Sequence, residues 1–265
     1  MSERRACRLV GLSRTSWREP PVEAAVNADL RERIKALALQ RRRFGYRRIN
    51  DLLKLQGLTI NHKRVYRLYT AQNLAVRRRK KAKRPVSERA ELLVPDGPNQ
   101  VWSIDFVMDS LANGRKLKCL TVADDLTHEC VDIAVDHGIS GHYVTNILDR
   151  AAKFRGYPRA IRTDGGPEFT SRAFMAWMHR CGIEHLLIQP GKPTQNAYIE
   201  SFNGKFRDEC LNEQWFETLL QARKEIAAWR LDYNEVRPHS SCGRIPPAIY
   251  AQKLRQANDF LNGFY

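Results

Sequence analysis

Between residues 100 and 188 the apolar pattern changes period repeatedly, and the order of those changes leaves few folds open to the chain. Gln100 to Met108 reads as a strand, Asn113-Gly114 is a strong two-residue hairpin signal, and Lys116 to Asp124 and Glu129 to Val135 read as the next two strands. Residues 140–155 have helical spacing, and Ala160 to Arg162 is a short strand ending at Asp164. Residues 171–181 are helical, Glu184 to Ile188 is a strand, and the rest is helical with a break at Arg237-Pro238. A three-strand meander followed by helix, strand, helix, strand and helix predicts an α/β fold, a mixed sheet flanked by helices. With 265 residues, 43% of them apolar, the chain can bury such a core and still hold one smaller domain.

The smaller domain is expected in residues 21–76 as three short helices. Leu30, Ile34 and Leu37 follow a helical spacing, and Tyr46, Ile49 and Leu53 form a second stripe closed by Gly57. Asn61 is placed to cap a third helix, with Val65, Leu68 and Tyr69 inward and Lys63, Arg64 and Arg67 on its outer side. This matches a helix-turn-helix reader whose third helix enters the major groove; the plainer reading is a small bundle with a solvated basic face. Charge favours the first. Residues 1–95 carry 25 Lys and Arg against 8 Asp and Glu, whereas residues 96–265 carry 20 against 21. An excess confined to one end points to a polyanion-binding segment. Residues 77–97 are expected to be a basic linker, because the block that begins Arg77, Arg78, Arg79 cannot pack on itself and seeks phosphate. Residues 1–20 hold a weaker, partial helix-turn-helix signal: Ala6, Leu9, Val10 and Leu12 cluster, Gly11 turns the chain, and Ser13 caps a helix ending near Trp17.

Several classes drop out. No run of 18 apolar residues suits a membrane span, and the N-terminus lacks the apolar stretch of a secretory signal. Six scattered cysteines without a Cys-x-x-Cys pair argue against a zinc ribbon and fit a reducing cytoplasm. His137, His142, His179, Cys181 and His185 read as structural.

Three acids stand apart. Asp105 lies in a strand among Trp102, Ile104, Phe106 and Val107, where an unpartnered charge is costly. Asp164 emerges where an apolar strand meets Gly165-Gly166-Pro167. Glu200 lies in a helix expected from Thr194 onward, on a polar stripe with Asn196, Asn203 and Arg207, while Ile199, Phe202 and Phe206 form an apolar stripe suited to dock on the sheet. Two strand-borne Asp and a helix-borne Glu can meet at one sheet edge, and their hard oxygens suit Mg²⁺ or Mn²⁺. A two-ion site of this kind activates water or a 3′-hydroxyl for in-line phosphoryl transfer, with Arg207 holding a DNA phosphate. Taken singly, Asp164 reads as a turn residue and Glu200 as a solvated helix position, so the spacing must decide. Asp124 and Asp125 are expected to serve a hairpin turn and Asp109 to face solvent. Glu168 either orients a ligand or lies plainly at the surface, and His239 packs or caps.

Asp164 and Glu200 have 35 residues between them, and Arg207 follows Glu200 by seven. With the runs Asn99 to Phe106, Asp164 to Phe169, Gly191 to Gly204 and Tyr233 to Ser240, this resembles the DDE transposases and retroviral integrases, and among them the orfB-type transposases of bacterial insertion sequences. The resemblance implies a ribonuclease H-like core over residues 98–265, ending in a helical extension. It implies Asp105, Asp164 and Glu200 as catalytic acids and ligands of two Mg²⁺ or Mn²⁺ ions. It implies cleavage at element ends to free a 3′-hydroxyl, which then attacks another phosphodiester without a covalent enzyme intermediate. Implied partners are element-end and target DNA, further copies of the chain, and an upstream-frame helix-turn-helix protein of which residues 1–18 would be the trailing part. The implied location is the bacterial cytoplasm, with the nucleoid. DNA contacts are expected from Lys63, Arg64, Arg67, Arg77, Arg78, Arg79, Lys192, Asn203 and Arg207. The chain departs from the family at Gly165, usually Asn, and at Cys242, usually Leu, and it lacks the zinc-binding module of retroviral integrases. The alternatives are a weakened or truncated copy that binds element ends as a regulator, and a ribonuclease H-like nuclease without strand transfer. The latter gives no account of the runs at 191–204 and 233–240.

Overall fold

The computed structural model describes residues 2–18, 25–76, 95–188 and 196–262. They fall into two compact units, Met1–Arg79 and Lys80–Tyr265. The first holds α1 (Glu3–Leu9), α2 (Arg14–Arg18), α3 (Ala25–Gln40), α4 (Tyr46–Leu55) and α5 (His62–Ala71). The apolar spacings bury as expected: Leu30, Ile34, Ile49, Leu53, Val65, Leu68 and Tyr69 form one core. Asn61 caps α5, its side chain accepting the Lys63 N–H at 2.9 Å. Ser13 accepts the Ser16 N–H at 2.9 Å, as its capping role requires. The apolar cluster expected beside it does not form, because Leu9, Val10 and Leu12 are exposed. Helices of seven and five residues are too short to bury a face of their own.

The second unit is a five-stranded sheet of order β3-β2-β1-β4-β5. Its strands are β1 (Val101–Ser110), β2 (Lys116–Asp124), β3 (Cys130–Asp136), β4 (Ala160–Thr163) and β5 (Glu184–Leu187). The meander β1-β2-β3 is antiparallel, and β4 and β5 continue the sheet beyond β1 in parallel. Both faces are covered. Trp102, Ile104, Leu120, Val122 and Ile161 pack on one face under α6 (Gly141–Arg155) and α7 (Arg172–Arg180). Val107, Leu117, Cys119 and Val135 pack on the other under α8 (Ala197–Glu209) and α9 (Leu219–Glu235), with α10 (Pro247–Asn262) against α9. Two covered faces explain why most of β1 and β2 is buried, polar Ser103 and Thr121 included.

The helical reading beyond residue 196 needs one correction. After α8 the chain makes a short 3₁₀ turn, Leu211–Glu213, and runs non-helically until Thr218 caps α9. Phe216 is buried in this stretch, and its carbonyl accepts the Ala112 N–H at 2.7 Å. A non-local strap to the β1–β2 hairpin therefore outweighs helix propensity here.

The α6–α7 contact depends on a glycine. A Cβ at Gly141 would lie 2.0 Å from the Ser171 side-chain oxygen and 2.7 Å from the Glu168 carbonyl. Ser171 is committed there, since it caps α7 at Phe174 and donates to Glu168 at 2.8 Å. Gly141→Ala is expected to lower stability by about 1–3 kcal/mol through overpacking, measured by urea unfolding at unchanged m-value.

Candidate active site

Asp105 sits in the middle of β1. The parallel pairing of β1 with β4 sets Ser103 beside Arg162, so two residues further on Asp105 comes abreast of Asp164, one residue past the end of β4. Glu200 stands in the first turn of α8, the helix that docks Ile199, Phe202 and Phe206 on this face of the sheet. Asp164 and Glu200 are exposed and Asp105 is half-buried. Burial pushes the Asp105 carboxyl up to about 6, and the nearby Asp164 and Glu200 charges push the same way, while the Phe106 N–H and Asn203 hold it down. Asp164 and Glu200 are thus both electrostatic neighbours of Asp105. Among the described residues no three His, Cys, Asp or Glu side chains converge closely enough, as placed, to ligate one ion. The donor chemistry nevertheless suits a divalent cation: hard carboxylate oxygens whose mutual repulsion a cation would relieve.

Two supports hold the acids. Asn203 donates to the Asp105 carboxylate at 2.8 Å and accepts from Thr121 Oγ1 at 2.8 Å, and Thr121 is fully buried. Both ends of the Asn203 amide are therefore committed inward, and its geometry is that of an orienting group for Asp105. Asp164 accepts the Gly166 N–H at 3.1 Å, and a Cβ at Gly166 would lie 3.0 Å from that same oxygen. At Gly165 nothing lies within 4 Å of an added Cβ. Gly165→Asn is therefore expected to shift the melting temperature by no more than about 1 °C.

The remaining sequence expectations divide. Arg207 is exposed and donates to the Met108 carbonyl at 3.0 Å, which parks its guanidinium at the outer end of β1. Lys63 and Arg67 are exposed on α5, whereas Arg64 is half-buried, with its guanidinium on Asn27 of α3 at 2.6 and 3.0 Å. Arg77, Arg78, Arg79 and Lys192 lie outside the described residues. Glu168 is engaged rather than free at the surface. It pairs with Lys118, which lies 3.9 Å from the Phe106 ring centroid; burial works against its charge, but the Lys118 ammonium holds its carboxyl below the usual range. Asp109 is half-buried, not solvent-facing.

Asp124 does serve a turn, accepting the Leu126 and Thr127 N–H groups at 3.0 and 2.8 Å. Asp125 does not. Its side chain is wholly buried, accepts from Ser103 at 2.6 Å and pairs with Arg162, whose side chain is 4% exposed. A charged residue inside the four-residue apolar strand Ala160–Thr163 was the available signal for this pair. His239 is buried, consistent with packing; its ring stacks on His128 at 5.2 Å.

A mixed sheet with acids in its central strand, just past the adjacent parallel strand and on the docked helix defines a ribonuclease H-like integrase core, here joined to a helix-turn-helix-type unit. Residues 95–193 and 181–247 match family models described as "Integrase core domain", and residues 26–82 match "HTH-like domain". The chain is 61% identical over 259 residues to the 31.7 kDa protein of insertion element IS407 from Burkholderia multivorans, covering 98% of this chain and 94% of that one. It belongs to the integrase-core family of insertion-element transposases. A second relative, the 39.2 kDa protein of insertion element IS476 from Xanthomonas euvesicatoria, is 64% identical over 261 residues, covering 98% of this chain and 75% of that one. In fold, the chain resembles a chain of the simian T-cell lymphotropic virus intasome, with a TM-score of 0.52 and 17% identity, over 83% of this chain and 74% of that one.

Proposed function

We propose that the protein cuts DNA at the ends of its insertion element and joins the freed 3′-hydroxyl to target DNA, with Asp105, Asp164 and Glu200 as the catalytic acids. The observation that carries this reading is that Asp105, in the central strand, lies abreast of Asp164 just past β4, with both the Asp164 and Glu200 charges acting on its carboxyl. They would hold Mg²⁺ or Mn²⁺, two ions in all, whose chemistry is to activate the attacking oxygen and stabilise the leaving one. Asn203 keeps the Asp105 carboxylate turned toward the site. In cleavage, water attacks phosphorus and the element's 3′-oxygen leaves, taking up a proton. In joining, that hydroxyl attacks a target phosphodiester, one P–O bond forms as one breaks, and no outside energy source is required. Arg207 keeps guanidinium N–H groups beyond the one on Met108, and these suit a DNA phosphate.

The basic N-terminal unit supplies binding, with Lys63 and Arg67 toward the groove, and the same reading assigns phosphate contacts to Arg77, Arg78, Arg79 and Lys192. Affinity for element-end DNA is expected to fall at least 10²-fold between 50 and 200 mM salt, measured by fluorescence anisotropy. Two element ends must be brought together, so the active form is an assembly of several copies, working in the bacterial cytoplasm on nucleoid DNA. The exposed Leu9 of α1, Val10 just past it and Trp17 of α2 support an upstream-frame helical partner.

The test is a cleavage-and-joining assay on labelled element-end DNA with Mg²⁺ or Mn²⁺, beside a Glu200→Gln control. Joined products with the wild type and none with the control support the reading. End-binding without metal-dependent nicking selects the repressor instead, a reading that rests on Gly165. Hydrolysis without joined ends selects a plain nuclease.

A further inference from the structure

We propose that Arg162 and Asp125 form a buried positioning device that, through Tyr198, sets where α8 begins and so brings Glu200 to the two aspartates. The inference rests on the proposed role of the three acids. Ser103 and Arg162 are register partners on β1 and β4, each two residues behind Asp105 and Asp164 respectively, so this row shares their face of the sheet. Asp125 is held at both oxygens, by Ser103 and by Arg162, and its N–H donates to the Val101 carbonyl at 3.1 Å. The guanidinium so fixed lies 5.9 Å from the ring centroid of Tyr198, two residues before Glu200. His128 flanks the same ring at 6.0 Å.

The start of α8 needs such an anchor. Among the described residues its N-cap, Asn196, makes no side-chain capping bond. With no capping bond there, the rotation and register of the first turn are left to packing, by Ile199 on the sheet and by Tyr198 on the buried guanidinium. An ion pair with side chains 0% and 4% exposed is also an expensive way to fill a sheet face. An apolar pair of the same volume would stabilise the fold as well, so what the charges add is a flat cation held in one place.

Tyr198→Leu removes the ring from the cation, and Tyr198→Phe keeps it. In the full chain, Tyr198→Leu is expected to raise the Mn²⁺ concentration for half-maximal cleavage about tenfold, and to weaken Mn²⁺ binding to DNA-free protein, read by electron paramagnetic resonance, by the same factor. Amide exchange over residues 199–203 should speed up about tenfold. Affinity for element-end DNA should stay within about twofold, and Tyr198→Phe should restore every value. Arg162→Lys keeps the charge on Asp125 but loses the flat guanidinium; it should reproduce the Tyr198→Leu pattern, and it decides the matter if that variant fails to fold. Wild-type exchange and Mn²⁺ response in Tyr198→Leu, or a Phe variant as impaired as the Leu one, would overturn the proposal. If the wild type neither cleaves nor binds Mn²⁺, the reading of the three acids has failed, and amide exchange alone then tells whether Tyr198 anchors α8.

Discussion

Asp105→Asn is expected to reduce metal-dependent cleavage of element-end DNA at least about 10³-fold, while affinity for that DNA stays within about twofold. The substitution keeps the side chain's shape, but its single oxygen can accept from only one of the two donors now on the carboxylate, Asn203 and the Phe106 N–H, so one hydrogen bond is lost with the charge. What matters for catalysis is the charge. That charge is costly in the unliganded protein, where burial and the Asp164 and Glu200 carboxylates already push the Asp105 carboxyl up to about 6. The relieved charge offsets the lost hydrogen bond, so stability should change by no more than about 1 kcal/mol, and thermal unfolding checks this. The charge is useful only when a cation or a developing positive centre is present, so catalysis should collapse while the fold does not. On the proposed reading DNA binding belongs largely to the basic N-terminal unit, and it should then be indifferent to the change. Cleavage at the wild-type rate in purified Asp105→Asn protein would sink the assignment.

Asp125→Leu is expected to destabilise the second unit by about 3–5 kcal/mol, because it strands a buried guanidinium without its carboxylate. For a unit of this size, that corresponds to a fall in melting temperature of roughly 10 °C. The double substitution Asp125→Leu with Arg162→Met removes both charges and should recover most of the loss. The sign of the coupling is the informative result: a strongly favourable interaction between two individually damaging changes identifies a desolvated pair. If the double variant is as unstable as the sum of the singles, the pair is not coupled as described. Urea unfolding of the four proteins in this cycle measures it.

Much of the fold is legible along the chain because it rests on local periodicity. β1 begins at Val101, one residue after the Gln100 at which the strand is expected, and α6 and α7 fall within a residue or so of the spacing that predicts them. The helix-turn-helix-type unit is equally readable, down to the cap at Asn61. What local pattern misses are commitments made across distance. Asn203 lies on the same polar stripe as Glu200, yet its amide is claimed by Asp105 and Thr121, 98 and 82 residues away. Arg64 sits where an outward charge is expected, and Asn27, 37 residues away, takes it. Phe216 interrupts a plausible helix because the β1–β2 hairpin offers it a burial site and a hydrogen-bond partner.

Residue order alone settles the class of architecture, the end of the chain that carries the positive charge and the three acids worth testing, since periodicity, net charge and motif spacing are properties of the covalent chain. Which polar groups near those acids face the reaction, which brace a carboxylate, and which are buried against an opposite charge follow from folding. Each of those outcomes depends on competition for a partner that folding brings within about 3 Å from far along the chain.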